Sequence, residues 1–123
     1  MPNSLVSSRH AAFLRQGKRC YYCNCPMWEA RPGVFAVSWR VTLCQAVLLQ
    51  CTAEHVVPKS AGGGASRANI VAACRYCNQG RHKAKLPLDV HTLRTRIRRL
   101  VARGRWLPPG FHRLVFHCAE GGT

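Results

Sequence analysis

The sequence predicts a small α+β domain built around a zinc ion, and three features predict it. The chain has 123 residues, of which 47% are hydrophobic, and this is enough for one modest core. Two Cys-x-x-Cys pairs stand far apart in the sequence, and short β-branched segments alternate with helical patterns between and after them. We therefore expect a single domain over residues 1–123, with a zinc-stabilised core at about 19–83, flanking helices that include a basic one at 87–104, and a tail at 105–123.

Three helices are expected in the first part of the chain. Residues 7–16 have a helical pattern, with Ser7 or Ser8 as the N-cap. Pro32 suits the first turn of a second helix, and the capping box Thr42-x-x-Gln45 begins a third. We expect the second and third helices to pack as a lid over the metal core.

Two short strands and a loop follow. Residues 51–57 are largely β-branched or apolar, which predicts a strand that ends in the pair Glu54-His55. Pro58 and the run Gly62-Gly63-Gly64 exclude regular structure in the next segment. Residues 70–73 predict the second strand.

The last part of the chain is expected to be mainly helical. The second cysteine pair leads into a helix that we expect to begin near Asn78. A further helix is predicted from Pro87 to Gly104, because apolar residues recur there at helical spacing. Pro108-Pro109-Gly110 interrupts the tail, in which residues 114–116 are compatible with one strand.

The cysteine spacing is the most specific signal in the chain. Each Cys-x-x-Cys loop places two thiolates on the same side of a tight turn, and two such loops complete a tetrahedral zinc site. Four protein ligands leave no position for water, so we expect a structural Zn²⁺ held by Cys20, Cys23, Cys74 and Cys77. Cys25 offers Cys23 an alternative partner, but two intervening residues suit the geometry better. Without partners at ligand spacing, three further cysteines are expected to be small buried residues: Cys44, Cys51 and Cys118.

The charge of the chain favours a polyanionic partner. Lys and Arg number 19 against four acids, which gives a net charge of +15. Nucleic acid is the partner we expect, although a merely basic protein or one that binds anionic membrane has the same charge pattern. The N-terminal segment has no uninterrupted apolar run, and no segment has the length of a membrane span. We therefore expect no membrane insertion and a cytoplasmic location, where paired Cys-x-x-Cys motifs more often bind metal.

Several residues near the cysteine pairs supply what phosphodiester hydrolysis requires. His55 is the only histidine beside an acid, and an imidazole can accept a proton from water near pH 7. Glu54 offers a carboxylate to a hard cation. Asn78 and His82 are four residues apart and share one helix face, so both could approach the same ion. Taken singly, each of these residues has an ordinary structural explanation.

The order of Glu54-His55, Asn69 and Cys74-x-x-Cys77-Asn78 resembles the HNH endonuclease family, whose catalytic unit is a ββα-metal, treble-clef-like finger. The resemblance covers about residues 19–83. It implies that His55 is the general base, that Asn69 positions the base, and that Glu54 and Asn78 bind one catalytic Mg²⁺ or Mn²⁺. His82 lies where the colicin-type branch has an additional metal-binding histidine. The chain departs from the family pattern in having Glu54 where Asp is commoner and Asn78 where His is commoner.

DNA, as a duplex, is the substrate that this resemblance and the charge favour. We expect guanidinium and ammonium groups to bind its phosphates without reading the sequence. Cleavage of both strands commonly needs two active sites, which hints at a homodimer. A solvated helix face would explain the same arginines. The candidate contacts are Lys18, Arg19, Lys59, Arg75, Arg81, Lys83, Arg94 and Arg98.

Three functions remain open from the sequence. The first is a metal-dependent DNA endonuclease. The second is a zinc-ribbon module that binds nucleic acid without catalysis, which the same thiols and charge would serve. The third is a redox or disulfide protein, favoured only by the surplus of cysteines.

Overall fold

A computed structural model describes residues 4–85 and 87–117 of the chain. In chain order the elements are α1 (Ser4–Arg15), α2 (Pro32–Trp39), α3 (Leu43–Leu48), β1 (Cys51–His55), β2 (Ile70–Cys74), α4 (Arg75–His82), α5 (Val90–Ala102) and α6 (His112–Val115). Two 3₁₀ turns, at Lys59–Ala61 and Arg67–Asn69, lie in the loop between β1 and β2. The predicted α+β class is confirmed.

The two strands form an antiparallel pair at the centre of the domain. Cys51 lies opposite Cys74, and His55 lies opposite Ile70. Helix α4 follows β2 without a loop and packs against both strands. The β1 end that bears Glu54 therefore lies beside α4, as a ββα unit requires.

The outer edge of β2 is occupied by side chains from the end of α1. The Gln16 amide donates to the carbonyl oxygen of Ala72 at 2.8 Å, and Gln16 Oε1 accepts from the Ala72 N–H at 2.9 Å. The Arg15 guanidinium donates to the carbonyl oxygen of Ile70 at 3.2 Å. These contacts fix α1 against the sheet.

The core surrounds the cysteine pairs rather than one face of the sheet. Its largest fully buried side chains include Tyr22, Leu49, Ile97 and Phe111, which come from four separate segments. Helix α5 contributes the apolar face that its spacing predicted. Helices α2 and α3 pack against each other, and α3 also contacts α4. None of the described helices has the length and hydropathy needed to cross a membrane.

The predicted starts of α1 and α5 are wrong, and two other signals are confirmed. Helix α1 begins at Ser4, and Ser8 lies buried inside it, where its hydroxyl donates to the carbonyl oxygen of Ala65 at 2.5 Å. Neither Ser7 nor Ser8 is the N-cap. Helix α5 begins after Asp89, whose carboxylate accepts from the Thr92 N–H at 3.0 Å, rather than at Pro87. The capping box at α3 and the proline in the first turn of α2 are both present.

Three further predictions are wrong. Helix α4 begins at Arg75, not near Asn78, because the sulfur of Cys74 caps it. The expected strand at residues 114–116 overlaps helix α6 instead. Cys44 is exposed, whereas Cys51 is buried as expected, and Cys118 lies outside the described residues.

Candidate active site and metal centre

Four cysteine sulfurs meet in the core. The Sγ atoms of Cys20, Cys23, Cys74 and Cys77 lie within 4.8 Å of one another, and all four residues are buried. Cys23 Sγ and Cys74 Sγ are 3.8 Å apart. A tetrahedral zinc ion with Zn–S bonds of about 2.3 Å requires sulfur–sulfur edges of about 3.8 Å. The four side chains therefore fit the structural zinc that their spacing predicted.

Backbone N–H groups point at these sulfurs and favour thiolates. The N–H of Cys74 donates to Cys20 Sγ at 3.3 Å, and the N–H of Cys77 donates to Cys74 Sγ at 3.4 Å. Hydrogen bonds from neighbouring thiols, chiefly Cys20, hold the pKa of Cys23 well below its usual value. The hydrogen bond with Cys20 raises the pKa of Cys74, and burial raises the pKa of Cys77. One thiolate thus forms readily, and a coordinated dication would be required to stabilise all four.

Cys25 is not part of this cluster. It is buried, and its Sγ contacts the carbonyl oxygen of Phe111 at 3.9 Å. Its pKa is raised by the hydrogen bond to Cys23 and by burial. The pairing of Cys20 with Cys23 is the one that the geometry selects.

Arginine side chains hold the first cysteine pair in place. Arg98 donates to the carbonyl oxygens of Tyr22 and Tyr21, at 2.7 and 3.0 Å. Arg94 also donates to Tyr21 O at 3.0 Å, and its guanidinium carbon lies 4.4 Å from the centre of the Tyr21 ring. Arg19 binds carbonyl oxygens at the end of α6. These three arginines carry structural hydrogen bonds, and their contact with phosphate stays a prediction.

Glu54 is a buried carboxylate whose two oxygens are already occupied. The residue is 3% exposed. Its Oε1 lies 3.1 Å from Arg81 Nη1 and 3.5 Å from His82 Nε2, and its Oε2 accepts from the Tyr22 hydroxyl at 3.3 Å. Burial, reinforced by the charge of Glu54, raises the pKa of Tyr22, so the phenol remains a donor. Burying a carboxylate is costly unless it is paired, and Arg81 supplies the pairing charge.

Asn78 lies against the strand that bears Glu54. Its Nδ2 donates to Thr52 Oγ1 at 2.9 Å and to the carbonyl oxygen of Ala53 at 3.4 Å. The Thr52 hydroxyl in turn donates across the sheet to the Ala73 carbonyl oxygen at 2.7 Å. Because Nδ2 faces the strand, Oδ1 is the atom that could bind an ion. Helix α4 therefore brings Asn78 and His82 to the end of β1, and their role as metal ligands stays a prediction.

His55 follows Glu54 in β1. Its Nε2 is buried and has no hydrogen-bond partner among the described residues. Nδ1 also forms no hydrogen bond with any of the described residues. Unlike Nε2, it is not fully buried, so it is the ring nitrogen open to water. A buried polar atom without a partner costs about 1–3 kcal/mol, and the role of His55 as general base stays a prediction.

Asn69 braces the loop that follows His55. Its Oδ1 accepts from the Val57 N–H at 2.7 Å, and its Nδ2 donates to the carbonyl oxygens of Val57 and Gly64, at 3.0 and 2.8 Å. Gly63 packs so closely here that an added Cβ would lie 1.7 Å from Val57 O. Gly63 is therefore required by the packing of this loop, whereas Gly62 and Gly64 have nothing within 4 Å of an added Cβ.

The remaining candidate phosphate contacts lie on the surface. Lys59 lies in the 3₁₀ turn after β1, and Arg75 and Lys83 mark the two ends of α4. These three residues and Lys18 are exposed, whereas Arg81 is turned inward to Glu54. The surface lysines and arginines remain available to a polyanion.

Comparison with known proteins identifies the unit formed by β1, β2 and α4. A family profile described as HNH endonuclease matches residues 41–84. A curated protein named Anaredoxin, from Nostoc sp., is 32% identical over 54 residues, which are 44% of this chain and 71% of that protein. The chain belongs to the HNH endonuclease family. Its HNH domain indicates a nuclease-type function with a nucleic-acid substrate, and no solved structure matches the chain.

Sequence reasoning missed three parts of the HNH site. Thr52 carries a signal, because it stands two residues before Glu54 and side chains two apart lie on the same face of a strand. Tyr22 stands 32 positions before Glu54, and no local pattern indicates that its hydroxyl reaches the carboxylate. The pairing of Arg81 with Glu54 is equally invisible in the sequence, since the two residues are 27 positions apart.

Proposed function

We propose that this HNH protein is a metal-dependent endonuclease that hydrolyses phosphodiester bonds in DNA. One observation carries the proposal. Glu54 and His82 lie 3.5 Å apart at the end of β1, with Asn78 bonded to the same strand and the adjacent His55 keeping one ring nitrogen open to water.

His55 acts as the general base. A neutral imidazole with its hydrogen on the buried Nε2 has a lone pair on Nδ1, which accepts a proton from the water that attacks phosphorus. General base catalysis of this kind contributes about 10²- to 10⁴-fold in rate. Asn69 acts as a positioning residue, because its hydrogen bonds hold the backbone two residues after His55.

Glu54, Asn78 and His82 form the donor set for the catalytic cation. A carboxylate, an amide oxygen and an imidazole suit Mg²⁺ or Mn²⁺, the imidazole favouring Mn²⁺. The buried Glu54 carboxylate is the anionic ligand of this set, and its present partners are Arg81 and His82. When bound, the ion would stabilise negative charge on the phosphate and the leaving oxygen.

Surface cations contribute to substrate binding. Lys59, Arg75 and Lys83 flank the site in sequence and are exposed, and the net charge of +15 attracts the DNA backbone. Preorganised charge of this type offsets the charge that accumulates on the phosphate during attack. A homodimer is part of the proposal, since one active site cuts one strand at a time.

A second candidate is a zinc-ribbon module that binds nucleic acid without cutting it. The pairing of Glu54 with Arg81 favours it, because a carboxylate that is satisfied by an arginine needs no metal ion. The two candidates make different predictions for one experiment.

Plasmid nicking with Mg²⁺ or Mn²⁺ tests the proposal. Wild-type protein containing one zinc per chain should nick the plasmid, and His55→Ala should lose about 10²- to 10⁴-fold in rate while keeping its DNA affinity. His117→Ala, a change in an exposed histidine far along the chain, serves as the matched control and should nick normally. Binding without nicking under every metal would favour the zinc-ribbon module. Parallel reactions on duplex DNA, single-stranded DNA and RNA identify the substrate, and sedimentation measures the oligomeric state.

A further inference from the structure

Arg81 is held at two points inside the HNH site. Its Nη1 donates to Glu54 Oε1 at 3.1 Å, and its Nε donates to the carbonyl oxygen of Leu88 at 3.4 Å. The side chains of Arg81 and Glu54 are 10% and 4% exposed. The carboxylate that would bind the catalytic cation thus already has a cation as its partner.

A metal ion and Arg81 compete for this carboxylate. A dication at Glu54 would lie close to a guanidinium charge in a partly desolvated site, where like charges repel more strongly than in water. The chain as a whole, at +15, adds to the opposition. Cation binding to the protein alone is therefore disfavoured for as long as Arg81 stays on Glu54.

A phosphate group removes the competition. A guanidinium matches the oxygens of phosphate as well as those of a carboxylate, and it can exchange one for the other. When Arg81 turns to phosphate, the buried Glu54 carboxylate loses its guanidinium partner and keeps the Tyr22 hydroxyl and His82, so a dication would stabilise it. The negative charge of the phosphate also lowers the repulsion between the dication and the arginine.

We propose that Arg81 makes cation binding at Glu54 depend on bound nucleic acid. Without nucleic acid, Arg81 holds Glu54 and keeps the affinity for the cation low; with nucleic acid, Arg81 binds phosphate and Glu54 binds the cation. The inference rests on the proposed function, because it takes the Glu54 site as the one where the cation and the substrate meet. Coupling between two ligands is reciprocal, so the cation raises the affinity for nucleic acid by the same factor.

Mn²⁺ titration, followed by the electron paramagnetic resonance signal of the free ion, tests the coupling. The titration uses His55→Ala protein so that a short DNA duplex stays uncut, and binding of Mn²⁺ to the duplex alone is subtracted. We expect the duplex to tighten Mn²⁺ binding by about 5- to 150-fold, the usual range for two coupled ligands. Adding Arg81→Gln should tighten Mn²⁺ binding in the absence of DNA and remove most of the enhancement by DNA.

Arg96→Gln is the matched control. Arg96 lines the same groove as Arg81, is exposed, and loses the same charge on substitution. It should leave the coupling intact, whereas an equal effect of the two substitutions would attribute the coupling to overall charge and overturn the proposal. Zinc content and the melting temperature show whether Arg81→Gln folds. If the Arg81→Gln variant does not fold, the titration of the protein with Arg81 intact is the deciding measurement. Equal Mn²⁺ affinities with and without DNA would overturn the inference.

Failure of the inference is separable from failure of the proposed function. Wild-type nicking combined with uncoupled Mn²⁺ binding would remove only the role of Arg81. Absence of nicking with every metal would remove the endonuclease proposal, and with it the premise of the coupling.

Discussion

Asn69→Ala is expected to lower both the stability of the domain and the cleavage rate. The side chain makes three hydrogen bonds, two to Val57 and one to Gly64. At about 0.5–1.5 kcal/mol for each bond, their sum is about 1.5–4.5 kcal/mol. Asn69 is half-buried, so water replaces part of this loss, and we expect a decrease of roughly 1–3 kcal/mol in the free energy of unfolding.

The effect on catalysis follows from the place of these bonds. Val57 is two residues after His55, and the bonds from Asn69 fix the backbone on which the imidazole is carried. A displacement of the base on the order of 1 Å costs about 10²-fold in rate. Single-turnover plasmid nicking with saturating Mn²⁺, run well below the melting temperature of the variant, measures this loss, and urea unfolding measures the stability.

Ser66→Ala is the control for the loop as a whole. Ser66 is exposed in the same loop, and its side chain forms no hydrogen bond within the described residues. This variant should match the wild type in both measurements. If Asn69→Ala lost stability but nicked DNA at the wild-type rate, the idea that the loop positions His55 would be refuted.

Four further outcomes are expected. Gly63→Ala should lower the melting temperature far more than Gly64→Ala, because an added Cβ would lie 1.7 Å from a backbone oxygen at the first position and meets nothing within 4 Å at the second; similar melting temperatures would contradict the packing of this loop. Tyr22→Phe removes the donor to the Glu54 carboxylate, which we propose as a metal ligand, and should weaken Mn²⁺ binding in the presence of DNA by about 10- to 100-fold, as loss of a group that orients a ligand commonly does; unchanged Mn²⁺ affinity would show that the carboxylate is oriented by other groups. Burial raises the pKa of Cys51 from 9.0 to about 12, so at pH 9 iodoacetamide should label the exposed Cys44 before Cys51, as peptide mass mapping would reveal. The folded state holds the Cys51 proton more tightly than the unfolded chain does. The stabilisation of the fold by the protonated thiol should therefore be complete below a pH of about 9 and decrease as the pH rises toward about 12, a trend that urea unfolding across this range would detect.

Local signals predicted the parts of the fold that depend on neighbouring residues. The capping box of Thr42 and Gln45 and the proline at the start of α2 act within one helical turn, and both are present. The start of α4 was missed because its cap is the sulfur of Cys74, which the sequence indicates only as a zinc ligand. Residues 114–116 were compatible with a strand, but they overlap helix α6, in which Leu114 is buried.

The residues of the candidate site could be predicted from the sequence, but their hydrogen bonds and ion pairs with other segments could not. The spacing of Glu54, Asn78 and His82 suffices to bring them to one end of the sheet once the ββα order is recognised. The partners of these residues come from other segments, as with the Tyr22 hydroxyl, and such contacts have no periodic signature. The same limit applies to Arg98, whose hydrogen bonds to the carbonyl oxygens of Tyr22 and Tyr21, between the first two cysteines, have no signal in the sequence.

The occupied outer edge of β2 has a consequence for self-association. A two-stranded sheet normally presents unpaired backbone groups that can recruit a strand from another molecule and begin aggregation. Here the groups at alternate positions Ile70, Ala72 and Cys74 are taken by Arg15, Gln16 and Cys20. The edge therefore offers no free template for intermolecular β-pairing, so the two chains of a dimer would have to meet elsewhere on the surface.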